Sequence, residues 1–326
     1  MVPAGSDPIR DLRALLAQGR YQEVLDRHFA APPEWERGEP AIELAVATAA
    51  TRLGRLGDGQ VLAVAAHDEY RLHADDDGRM RCVNLLGAIA WERGQLDGAS
   101  GRWAEALELA RQVGDPVMTA RVSNNLALAM HLTGRVAEAR SHFRESLVTY
   151  RRLGERRYAA ETAHNLAVTY REEGELRLAD DADAEAVRHA ELVADPALIA
   201  LTITGRAETR LAQGDHPLAA SDLARAERLC RGANDPLGLA EVRRVRGERW
   251  LRLRQPARAL EEAEAARAVA AELGSALLQA ECAALAYRAL RQLDRLDEAR
   301  LRFEEAERLF RTLGAVAHLR RLGETA

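Results

Sequence analysis

The chain has 326 residues, 47% of them hydrophobic and 30% charged, a length that admits two ordinary domains with their own cores. Aromatics make up only 4% while Ala and Leu are abundant, which favours close helix-on-helix packing over a sheet stocked with β-branched and aromatic side chains. The 46 basic residues are all arginine, and against 51 acidic residues they leave a net charge of −5, too balanced for a general nucleic-acid or membrane-surface protein.

In chain order, Met1 to Pro8 shows no basic segment followed by an apolar core, and no stretch of 18 uncharged apolar residues follows it. Neither a signal peptide nor a membrane-spanning helix is expected, and the expected location is cytoplasmic. Cys82, Cys230 and Cys282 are odd in number and far apart, so they are read as reduced, buried side chains. Residues 7–31 read as a short helical hairpin around Gly19-Arg20-Tyr21, and the Pro-rich stretch 31–40 reads as an irregular linker. The first segment is therefore 1–39.

From residue 40 onward a forty-residue period takes over. Gly54, Gly94, Gly134, Gly174 and Gly214 recur at that spacing, and the series continues at Arg254 and Asp294 without glycine. Small residues follow in register at Gly59, Ala99, Ala139, Ala179, Ala219, Ala259 and Ala299, and again at Ala66, Ala106, Ser146, Ala186, Ala226, Ala266 and Ala306. Two antiparallel helices approach closely only where neither carries a bulky side chain at the crossing. A third series, Ala74, Gly114, Gly154, Ala194, Asn234, Gly274 and Gly314, marks helix ends closed by a left-handed residue, and Asp-Pro follows it at 115–116, 195–196 and 235–236 as the start of the next helix. Each unit is thus helix, tight turn, helix, short turn. The units fill residues 40–315, and 316–326 forms a terminal capping helix and tail.

This pattern resembles the tetratricopeptide repeat (TPR) family, in the longer form of roughly 40 residues found in LGN, kinesin light chains and the helical domain of MalT-type regulators. Leu86-Gly87, Leu126-Ala127 and Leu166-Ala167 fall at the family's Leu-Gly pair, and Trp103, Phe143 and Phe303 occupy its aromatic slot. The resemblance implies an all-α, right-handed α-solenoid of about eight helical hairpins. Its concave face would be lined by the first helix of each pair.

No catalytic constellation, metal site or cofactor fingerprint stands out, so no enzymatic activity and no cofactor are expected. The acidic turn Asp75-Asp76-Asp77-Gly78 lacks the remaining ligands of a calcium loop and reads as an ordinary polar turn. Family register instead places Arg81, Asn84, Trp91, Arg121, Asn124, Asn125, His131, His164, Asn165 and Arg171 on the concave face. By resemblance to O-GlcNAc transferase, asparagines at the position of Asn125 and Asn165 contact a peptide backbone, and an amide offers the donor and acceptor that task needs. The arginines suit carboxylates, and Trp91 suits an anchor. The plainer reading is that the asparagines bond their neighbours and that Trp91 packs internally.

Two stretches depart from the pattern. Residues 241–258 carry seven arginines against Glu241 and Glu248, either to receive an acidic partner or, more simply, to pair with the glutamates of the next helix. Arg206, Arg210 and Arg246 replace apolar residues, and Asp183 fills the aromatic slot. A buried unpaired charge is costly, so Asp183 is expected to be solvated or paired, with Arg206 the nearest candidate.

The expected function is a protein-protein interaction adaptor that binds a peptide or protein segment in the groove, with acidic side chains as the expected complement of its arginines. The alternatives are a regulatory module of a bacterial-type signalling or transcription system, and a structural factor that self-associates through Phe303, Leu309, Phe310 and Leu313 if residues 316–323 leave them uncovered. Nucleic-acid and membrane partners are not expected.

Overall fold

The computed structural model describes residues 8–30 and 39–324, so the N-terminal segment 1–7 and the linker residues 31–38 discussed above lie outside the described residues. The described residues form seventeen α-helices and no strand. Eight consecutive pairs run from α1 (Pro8–Ala17) and α2 (Tyr21–Phe29) to α15 (Ala276–Gln292) and α16 (Leu296–Thr312), and α17 (Val316–Glu324) follows them. The fold is an all-α solenoid, as the repeat register predicts.

The register has a physical basis at each helix end and crossing. Every position of both turn series is left-handed, including the ones that lost glycine: φ is 58° at Ala194, 51° at Asn234 and 57° at Arg254 and Asp294. The turn therefore imposes its conformation even where the residue resists it. Asp115 accepts hydrogen bonds from Val117 N and Met118 N, and Asp195 from Ala197 N and Leu198 N, satisfying amides that the helix itself leaves open. The acidic turn works the same way: Asp75 caps α5 (Asp76–Glu92) through Gly78 N. The periodic small residues are buried at the crossings, with Ala99, Ala139, Ala179, Ala219 and Ala259 fully inaccessible. At Gly87 the close approach is direct, because a Cβ there would collide with the Trp103 ring.

The chain divides into two compact units, Met1–Ala129 and Met130–Ala326, with the boundary inside α7 (Pro116–Leu132). In the first unit α3 (Pro40–Arg52) packs on α4 (Leu56–Leu72) and also on α5, the next odd-numbered helix. In the second, α9 (Arg156–Glu172), α11 (Pro196–Gln213), α13 (Pro236–Arg252) and α15 likewise touch in succession, and their even-numbered partners fill the spaces between them. The odd helices therefore form an inner layer in each unit.

At the C-terminal end, Leu309, Phe310, Ala315 and Leu322 form one buried cluster with Phe303, Leu313 and Leu319 packed against it. The apolar end on which the self-assembly alternative rested is thus covered by α17. Cys82, Cys230 and Cys282 are free and buried, and burial pushes the Cys82 thiol up to about 12, far from a reactive thiolate. No helix is long and apolar enough to cross a membrane, among the described residues.

Candidate functional site

Six of the residues expected on the inner face lie in the first unit. Arg81 of α5 is held by Asp77 at 2.9 Å and lies 3.5 Å from Asp115, so its guanidinium is positioned by two carboxylates. Asn125 of α7 donates from Nδ2 to Oδ1 of Asn84 on α5 at 3.3 Å. Asn84 stands one residue out of the forty-residue register. The same Asn84 accepts at its backbone oxygen from Trp103 Nε1 at 3.2 Å, and Trp91 leans on Trp103 with ring centroids 5.8 Å apart. Trp91 is therefore packed inside its own repeat, half-buried. Arg121 and Asn124 are half-buried on the next turn of the same layer, with Arg121 against the Met118 sulfur.

An amide carries two donor hydrogens and two acceptor lone pairs. The Asn84–Asn125 contact uses one donor and one acceptor, and both side chains stay half-exposed. The pair is thus able to bond a further amide while orienting itself.

In the second unit the remaining expected residues meet a different environment. Arg171 of α9 donates to Glu208 of α11 at 2.6 Å, Glu208 accepts from Arg244 of α13 at 2.6 Å, Arg244 lies 3.5 Å from Glu281 of α15, and Glu281 contacts His318 of α17 at 3.2 Å. Arg244 also binds Glu241 on its own helix at 2.5 Å. This ladder of alternating charge runs along the inner layer with one rung per odd helix, and Arg244 is only 11% exposed. The arginines on either side hold the Glu208 carboxyl at about 2 despite its burial. From α17, Arg321 turns back to Glu172 of α9 at 2.8 Å, and Glu172 also meets His131 at 3.3 Å. Arg171 is therefore committed to an ion pair within the unit, and His131 to a contact with Glu172.

His164 presses its ring on Gly205, where a Cβ would lie 2.5 Å from Nδ1, and burial lowers its pKa to about 4. It is a neutral, packed histidine. Asn165 is half-buried at the position equivalent to Asn125.

Asp183 overturns the expectation that it would be solvated or paired. Its side chain is wholly inaccessible, neither oxygen has a hydrogen-bond partner among the described residues, and burial raises its pKa to about 7. Arg206, the expected partner, instead chelates Asp222 through Nε and Nη2 at 2.9 and 2.8 Å, with Arg210 on the same carboxylate at 2.5 Å. Asp222 was the unread half of that cluster. The chain thus treats two buried carboxylates differently: Asp222 is paired by two arginines, whereas Asp183 is buried without such a partner and is pushed up.

No group of three His, Cys, Asp or Glu side chains could hold a metal ion, among the described residues.

A tetratricopeptide repeat family model matches residues 79–147 and 118–191. No curated protein is similar in sequence. Among solved structures, the apo form of RapI is 13% identical, covering 84% of this chain and 98% of its own, with a TM-score of 0.72. NprR in complex with its cognate peptide NprX is 12% identical over 98% of this chain and 94% of that one, at 0.69. Aspartyl phosphate phosphatase F from Bacillus subtilis is 12% identical over 100% and 96%, at 0.61. At these identities the likeness is one of fold.

Proposed function

We propose that the chain, whose residues 79–191 match a tetratricopeptide repeat model, is a peptide-binding protein whose ligand lies along the inner helical layer of the first unit, held by Arg81, Asn84, Arg121, Asn124 and Asn125. The observation that carries the reading is the Asn84–Asn125 amide pair, half-exposed and oriented, with donor and acceptor capacity left for a peptide group. Trp91, packed against Trp103 with the ring centroids 5.8 Å apart, backs the pair. The second unit's equivalents are taken up by its own contacts, Arg171 with Glu208 and His131 with Glu172, and Asn165 stands there without the amide partner that Asn125 has.

The likeness in fold to NprR, which was solved with a peptide, supports this class of ligand. The same chemistry serves a regulatory module of bacterial-type signalling in which the peptide is an effector. Catalysis has no place in the proposal: the surface offers amides, guanidinium groups and an indole, and no nucleophile beside a base.

The test takes a peptide selected from a random display library on the full chain and measures its affinity by titration calorimetry. A hydrogen bond is worth about 1 kcal/mol, so Asn84→Ala with Asn125→Ala should weaken binding about tenfold or more. Unchanged affinity in the double variant would remove the amide pair from the site and the proposal with it.

A further inference from the structure

The arginine-rich stretch 241–258 splits in the structure. In its first half Arg244 sits in the ladder and Arg246 pairs with Glu227 and Glu262. The arginines of its second half are held differently. Arg249 donates to the backbone oxygen of His216 at 3.1 Å and Arg252 to that of Leu211 at 3.2 Å, while Arg249 and Arg258 lie over the Trp250 ring at 4.8 and 4.9 Å. No carboxylate is within ion-pair distance of Arg249, Arg252, Arg254 or Arg258, among the described residues. Carbonyls and an aromatic face position these guanidinium groups without cancelling their charge.

Arg252 and Arg254 open onto a cleft of about 930 Å³ formed by the last turns of α11, α13 and α15, into which Arg288 and Arg291 also project. Glu248 is the single carboxylate of the lining, and Arg288 holds it. Three net positive charges remain. The three helix C-termini there oppose them with about half a negative charge each, which leaves the cleft cationic by one to two charges. Inside the wall, His216 Nδ1 is buried without a hydrogen-bond partner.

We propose that this cleft is a second binding site, and that its ligand is an extended acidic segment of a partner protein. The cleft is too large for a lone carboxylate or phosphate, and its cations sit on the adjacent ends of α13 and α15. Neighbouring helices lie about 8–10 Å apart, and an extended chain advances about 3.3 Å per residue, so acidic residues about three apart would meet one helix end after another. A nucleic-acid backbone is the weaker fit, because the protein as a whole carries −5 and would repel so dense a polyanion. The site is independent of the amide pair of the first unit, and different substitutions test the two.

The probe is a fluorescein-labelled Gly/Ser peptide with three glutamates at three-residue intervals, titrated against the full chain by fluorescence anisotropy at low salt. Saturable binding is expected, weakened at least fivefold by Arg252→Gln with Arg254→Gly, and by twofold or more in Arg254→Gly alone. That second change restores glycine at a left-handed position, so it relaxes the fold and separates lost binding from lost structure. Arg300→Gln, on an exposed ion pair elsewhere, should leave the affinity unchanged. Absence of binding to the wild-type chain, equal affinity in the Arg252/Arg254 variant, or equally tight and equally lost binding of a nine-residue oligothymidylate would each overturn the assignment.

Discussion

Asp183 shows how one residue departs from a repeat and what it costs. The equivalent positions hold Trp103 and Phe143, both buried, whereas Asp183 keeps the burial and loses the apolar chemistry. Its pKa rises from 3.8 to about 7 mainly through desolvation, which the Arg171 charge offsets only in part. The folded state therefore binds the proton more tightly than the unfolded chain, and stability drains away as pH rises from about 4 to about 7. His164 works in the opposite sense, since its pKa falls from 6.5 to about 4 and folding gains as pH rises through that window. Asp183→Asn removes the first effect and leaves the second. Relative to wild type, urea unfolding should find the variant about 3 kcal/mol more stable at pH 8 than at pH 5, at 1.36 kcal/mol per pKa unit. An equal difference at both pH values would mean that Asp183 does not titrate in this range.

At the scale of elements, the repeat was legible because it is written in backbone geometry. A left-handed turn and a close helix crossing each demand a residue type at a fixed place, and those demands recur every forty residues as Gly134, Ala139 and Ser146 do. Ala194 carries the penalty of that geometry, since an L-residue at φ 58° is strained where glycine is not. Ala194→Gly should stabilise the protein by about 0.5–1 kcal/mol in chemical denaturation, although glycine in an ordinary helix position would destabilise. A loss of stability would show that the turn after α10 (Leu176–Val193) does not hold residue 194 in the left-handed region. The ladder was not legible, for a related reason. Its contacts join residues 36 or 37 apart, as from Arg171 to Glu208 and from Glu208 to Arg244, because facing side chains on successive tilted helices are offset by about one turn from the repeat length. A search at 40 residues passes over this pattern, and a search for alternating charge near 37 finds it. Asn84 was legible only as an irregularity, and its bond to Asn125 spans 41 residues.

For the whole molecule, the near-neutral charge hides a division of labour among arginines. Those of the second unit's inner layer fix helices to one another, because removing one partner of such a buried pair leaves an uncompensated charge at a cost of about 3–5 kcal/mol. This bears on how the chain answers disturbance. In a solenoid whose repeats touch only their neighbours, a change in the last helix is felt by the last repeat alone. Here Arg321 on α17 reaches Glu172 on α9, so helices far apart in sequence share one network. Arg321→Glu would place two carboxylates at that contact in place of an ion pair. Hydrogen exchange read by mass spectrometry should then quicken in both α17 and the C-terminal turn of α9, while α3 and α5 of the first unit exchange as before. If the change stays within α15 to α17, the Arg321–Glu172 pair contributes nothing and the second unit behaves as an ordinary linear array.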